Sequence, residues 1–124
     1  MDSIQFLHAA LLVTDLDRSA QFYGQVLGLP LADRPLDFPG LWYQVGPFQI
    51  HLMTTDTVPI DRVIDRVNDQ KWGRNRHLAF AVADLEALRH RLTAAGYPTQ
   101  ASSSGRPALF TTDPDGHIIE LNQA

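Results

Sequence analysis

The chain contains no cysteine, which excludes disulfides, thiolate nucleophiles and Cys-ligated zinc or iron–sulfur centres. Lysine is almost missing too, Lys71 being the single one, and ten Lys and Arg against fourteen Asp and Glu leave a formal charge of −4. No basic stripe exists, so nucleic acid is not an expected partner. No apolar run approaches the ~18 residues that suggest a membrane-spanning helix. Met1-Asp2-Ser3 lacks the charged and apolar regions of a secretory signal, so a cytoplasmic location without a membrane partner is expected. Only two glutamates, Glu86 and Glu120, and five histidines are at hand for acid–base or ligand chemistry.

What is present suits one small globular domain. The 124 residues are 44% hydrophobic, too apolar for a disordered chain. The pattern is written twice. Residues 6–13 are an apolar run leading into Thr14-Asp15-Leu16-Asp17, and residues 77–82 are another leading into Ala83-Asp84-Leu85-Glu86. Each run predicts a strand, and each acidic step a helix start with Asp15 or Asp84 at the N-cap. Leu16, Ala20, Tyr23 and Leu27 then form one helical stripe, and Leu85, Leu88, Leu92 and Ala95 a second. Gly28 and Gly96 stand where a glycine ends a helix. Further strands are predicted at 41–45 and 48–53, joined at Gly46-Pro47. In the second half they fall at 108–112 and 117–122, joined by the turn Asp113-Pro114-Asp115-Gly116. Short extra strands are expected near Leu31 and Thr99.

The predicted fold is therefore α+β. Two modules, about 4–53 and 74–122, are joined by a linker over 54–73, and the polar stretch Thr54–Arg76 is a candidate lid in which Trp72-Gly73 offers an aromatic contact beside a flexible point. Phe22, Tyr23, Trp42, Tyr43 and Phe48 are assigned mainly to the core. Trp42 and Trp72 are also candidates for lining a substrate pocket.

The candidate ligands obey the repeat. His8 and His77 are separated by 69 residues (77 − 8), and so are His51 and Glu120 (120 − 51). A lone strand histidine is ordinarily a hydrogen-bonded structural residue, but two pairs sharing one offset point to a duplicated site. Strand alternation sets Ile118, Glu120 and Asn122 on one face, and turns His8 away from Leu7, Ala9, Leu11 and Val13. A carboxylate between Ile119 and Leu121 needs a partner to offset its desolvation. Imidazole and carboxylate together suit one divalent ion, with zinc, nickel, cobalt, manganese and iron all open. His90 is read as solvent-facing and His117 as structural.

These residues resemble the vicinal oxygen chelate superfamily, which includes glyoxalase I, extradiol dioxygenases, fosfomycin-resistance proteins and bleomycin-binding proteins. The resemblance rests on the His8 strand, Asp15-Leu16-Asp17-Arg18-Ser19 with Phe22-Tyr23 and Leu27-Gly28-Leu29, and Ile50-His51-Leu52. Arg76-His77-Leu78-Ala79-Phe80 and Asp113-Pro114-Asp115-Gly116-His117-Ile118-Ile119-Glu120 extend it over nearly the whole chain. It implies paired βαβββ modules whose curved mixed sheets form a cup around one divalent metal. It also implies His8, His51, His77 and Glu120 as metal ligands, and a homodimer. The small glyoxalase-I-like proteins are the nearest likeness. They imply a lyase or isomerase acting on a small substrate with two adjacent oxygens, with Glu120 as the catalytic base. His51 departs from that pattern, because true glyoxalase I usually has a carboxylate or amide there. His8, His77 and Glu120 alone would instead supply the triad of an Fe(II) extradiol dioxygenase. A non-catalytic binder of the bleomycin-resistance kind is the third expectation.

Overall fold

Alternation along the strands decides which face each sheet buries. A computed structural model describes residues 3–54 and 70–124, and the chain divides into two units, 1–58 and 59–124. Both are α+β, built on mixed sheets of three and four strands.

In the first unit, β1 (His8–Val13) leads into α1 (Leu16–Ala20), followed by β2 (Gly40–Val45) and β3 (Phe48–Thr54). The sheet order is β1-β3-β2, with β1 parallel and β2 antiparallel to β3. Asp15 caps α1 as expected, its Oδ1 accepting from the Asp17 and Arg18 amides at 2.9 and 3.2 Å. The helix then widens to π winding over Gln21–Val26, and the Leu27 amide donates to the Phe22 carbonyl five residues back. This alters the predicted stripe. Ser19, Phe22, Tyr23 and Val26 are the buried residues, whereas Leu16, Ala20 and Leu27 are half-buried. The wider turn lets Phe22 and Tyr23 face the sheet together, packed edge to face at 4.8 Å. Val13, Tyr43, Ile50 and Leu52 complete this core. Leu7 and Phe48, expected inside, are exposed because they stand at the outer ends of β1 and β3, while Trp42 is half-buried because it shares the opposite face with His51. The strand expected near Leu31 is a single bridge to Tyr43.

The second unit runs β4 (His77–Val82), α2 (Leu85–Ala94), β5 (Thr99–Ala101), β6 (Ala108–Thr112) and β7 (Ile118–Gln123). Its sheet order is β4-β7-β6-β5, with β4 parallel to β7 and the remaining pairs antiparallel. Asp84 caps α2 through the Ala87 amide, and Gly96 ends it at φ +86. Leu85, Leu88 and Leu92 are buried with Leu109, Ile119 and Leu121, while Ala95 at the end of the stripe is exposed. The predicted turn closes through the Gly116 amide on the Asp113 carbonyl, and the buried Asp113 carboxylate accepts from the Asp115 and His117 amides. His90 is exposed, as expected. Among the described residues no helix is long and apolar enough to cross a membrane.

Most of the proposed linker and lid lies outside the described residues. Its last part, a 3₁₀ turn at Trp72–Arg74, belongs to the second unit, where the Trp72 amide donates to Gln100 Oε1. Gly73, read from sequence as a flexible point, is a close-approach position instead. A Cβ there would lie 2.7 Å from the Phe110 ring. Gly73→Ala is therefore expected to destabilise the unit by roughly 1–3 kcal/mol through overpacking. Leu92→Ala, which leaves a cavity under α2, should cost about 2–5 kcal/mol. Urea unfolding of both variants against the parent measures each effect.

Candidate functional site

The same alternation that turns apolar side chains to one face of each sheet turns the polar candidates to the other. Each unit carries two of the four residues singled out by the repeat.

In the first unit, His8 on β1 and His51 on β3 stand on neighbouring strands with their rings stacked, centroids 3.8 Å apart and planes 11° apart. Trp42 on β2 closes the other side of His51 at 4.0 Å and 6°. Trp42 is directly opposite His51 in the β2–β3 register, so this indole–imidazole contact is a cross-strand pair. His51 is 9% exposed and His8 lies open to solvent. Burial pushes the His51 imidazole below its ordinary 6.5, and the nearby positive charges of His8 and Arg34 add to the shift. The ring is also held at its edge, since His51 Nε2 lies 2.8 Å from Gln49 Oε1.

In the second unit, His77 on β4 and Glu120 on β7 meet directly, Nε2 to Oε1 at 3.0 Å. The His77 Nδ1 lies 2.7 Å from the Asn75 carbonyl, an oxygen that can only accept. Nδ1 therefore carries a proton, and the contact on the other side requires one more, shared between Nε2 and Oε1. Phe110 packs its ring edge to face against His77 at 5.5 Å. The second Glu120 oxygen, Oε2, lies 3.6 Å from Nη2 of Arg106, a mostly exposed side chain whose Nε donates to Ser104 Oγ at 3.0 Å. Glu120 itself is 8% exposed, so these two partners answer its need for desolvation to be offset.

The structure thus pairs the candidates two by two, and among the described residues no group of three or more His, Cys, Asp or Glu is gathered as a metal site. The two half-sites fit a metal differently. Nε2 and Oε1 face each other across a single proton, and the opposite ring nitrogen is anchored to a carbonyl, the support that ligating histidines ordinarily have. His8 and His51 are stacked with nearly parallel planes, so one ion cannot lie in the plane of both rings until one of them tilts. Trp42, a candidate pocket aromatic, sits on His51. Trp72 stands at the 3₁₀ turn, half-buried. Sequence reasoning missed Gln44, Gln49, Asn75 and Arg106. Strand parity could have found the glutamines, because Gln49 shares a face with His51. The Asn75 contact uses only its carbonyl and leaves no mark in the sequence.

The depressed His51 value has a sign for stability. A ring that resists protonation in the folded state stabilises the fold above about pH 6.5, and that contribution is lost as pH falls through the folded value. Metal-free protein should therefore lose stability on mild acidification, and His51→Gln should flatten that part of the profile in thermal melts taken across the range.

The chain is similar to known proteins over most of its length. The family described as the glyoxalase/bleomycin resistance protein/dioxygenase superfamily matches residues 5–121. A lactoylglutathione lyase of Haemophilus influenzae is 31% identical over 133 residues, covering 95% of this chain and 91% of its own. The glutathione transferase FosA of Serratia marcescens is 33% identical over 118 residues, covering 93% and 77%. Among solved structures, the fosfomycin resistance protein FosX of Listeria monocytogenes superposes with a TM-score of 0.71 at 17% identity, over 100% of this chain and 93% of that one. The chain belongs to the glyoxalase/bleomycin resistance protein/dioxygenase superfamily.

Proposed function

We propose that the protein is a metal-dependent enzyme of glyoxalase-I type, a lyase or isomerase acting on a small molecule with two adjacent oxygens. The observation that carries this reading is the His77–Glu120 contact, in which a nitrogen and an oxygen donor converge on one replaceable proton while Asn75 fixes the ring behind them. Relatives named lactoylglutathione lyase at 28–31% identity support the same class.

The proposed ligands are His8, His51, His77 and Glu120, drawn from the two modules at about 4–53 and 74–122, with the exposed His8 ring tilting out of the stack so that His51 keeps its place. Zinc, nickel, cobalt, manganese or iron, when bound, would supply Lewis-acid polarisation of the two substrate oxygens. The chain's own residues do the rest. Glu120 is the one carboxylate of the set and takes and returns the substrate proton, while Arg106 holds its outer oxygen in place. Trp42 and Trp72 are the proposed pocket aromatics. The proposed form is a cytoplasmic homodimer, which sedimentation against the 13.8 kDa monomer would check.

A second reading has its own observation. His51 is engaged on both faces and at one edge, which leaves His8, His77 and Glu120 as two imidazoles and a carboxylate, the set of an Fe(II) extradiol-type dioxygenase. Metal-loaded protein assayed with a hemithioacetal and with a catechol separates the two. Isomerisation with nickel, cobalt or zinc supports the first, and iron-dependent oxygen uptake with the catechol replaces it with the second. Binding of a ligand without turnover in either assay points to an antibiotic-binding role and overturns both.

Metal uptake by the parent should release protons from its ligands, the His77–Glu120 contact being one source. Calorimetric titration in buffers of different ionisation enthalpy measures that release. His77→Ala and Glu120→Gln should each abolish tight binding while the circular dichroism spectrum is kept. Unchanged stoichiometry in both variants would sink the metal site.

A further inference from the structure

Stacking between His8 and Trp42 fixes the plane of the His51 ring but leaves it free to flip by half a turn within its slot. A row of amides removes that freedom. Gln44 Nε2 donates to two backbone carbonyls, Gly46 at 2.7 Å and Phe48 at 3.1 Å. Carbonyls only accept, so the orientation of this amide is chemically determined, with its NH₂ toward the turn and Oε1 toward Gln49. Gln49 Nε2 then donates to Gln44 Oε1 at 3.0 Å, which turns Gln49 Oε1 toward His51. Gln49 Oε1 in turn accepts from His51 Nε2 at 2.8 Å. Direction passes from the β2–β3 turn to the ring without a free choice at any link. Gln44 and Gln49 are directly opposite each other in the β2–β3 register, and Gln49 is two residues from His51 on the same face, so the row follows from the hairpin itself.

We propose that Gln44 and Gln49 are positioning residues that hold the neutral His51 ring as its Nε2–H tautomer, leaving Nδ1 as the nitrogen whose lone pair is offered to a metal ion. The tautomer rests on the hydrogen-bond row alone. The use of Nδ1 rests on the metal-dependent reading given above, and the two can fail separately.

Nitrogen-15 NMR of the metal-free protein in mildly alkaline solution reads the tautomer directly, with His51→Gln assigning the resonances. The parent is expected to show a protonated Nε2 and an unprotonated Nδ1. Gln49→Leu removes the last link, and the tautomer ratio should fall by roughly 2- to 10-fold, the worth of one net hydrogen bond. Gln44→Leu frees the Gln49 amide to rotate and should move the ratio the same way by less, which keeps the test open if the first variant folds poorly. A protonated Nδ1 in the parent overturns the proposal. So does an unchanged ratio in both variants. Zinc titrated into the parent should then shift the Nδ1 resonance and leave the Nε2–H in place. If zinc shifts Nε2 instead, the assignment of Nδ1 as the presented atom is overturned. If zinc binds nowhere while the tautomer stands, the metal-dependent reading fails, and with it the use of Nδ1, but not the positioning role of the glutamines.

Discussion

Burial of one sheet face beneath a helix is the constraint on which both half-sites depend. Tyr43, Ile50 and Leu52 are sealed with Phe22 and Tyr23 in the first unit, and Leu109, Ile119 and Leu121 with the leucines of α2 in the second. Because side chains alternate along a strand, fixing those residues inward fixes His51 and Glu120 outward, one position away in each case. A one-residue slip in register would exchange His51 and Glu120 for core residues. The chemistry is thus held by hydrophobic area that never touches it.

The two half-sites meet the cost of their polar groups in different ways. Glu120 is nearly buried and is satisfied by His77 on one oxygen and Arg106 on the other, so its charge is balanced locally. His51 is nearly buried and gains no opposite charge, with an amide at its edge, aromatic faces on both sides and the cationic groups of His8 and Arg34 nearby. That setting disfavours a charged ring. One pair thus joins an imidazole to a carboxylate, and the other keeps its imidazole among rings and an amide.

Several predicted elements coincide with the structure because their signals are local. The Asp15 and Asp84 caps, the Gly28 and Gly96 helix ends and the Asp113–Gly116 turn each depend on a few adjacent residues with restricted backbone choices. The errors arose where packing overrode local winding. The helical stripe that begins at Leu16 assumes uniform α winding, and the π turn over Gln21–Val26 rotates the buried set to Ser19, Phe22, Tyr23 and Val26. Gly73 reads as a flexible point in the sequence because nothing nearby reveals that Phe110, 37 positions on (110 − 73), lies against it.

By itself, the sequence determined the α+β class, the doubled strand–helix pattern and the spacing that singles out His8, His51, His77 and Glu120. Periodicity and turn chemistry act over a few residues and survive in a linear text. Only the tertiary structure decided that His8 and His51 stack, that His77 and Glu120 meet, and that Gln44 and Gln49 aim the His51 ring. Those facts belong to strand register and side-chain rotamers. A hydrogen bond to a backbone carbonyl such as that of Asn75 can be made by any residue, so no letter in the chain records it.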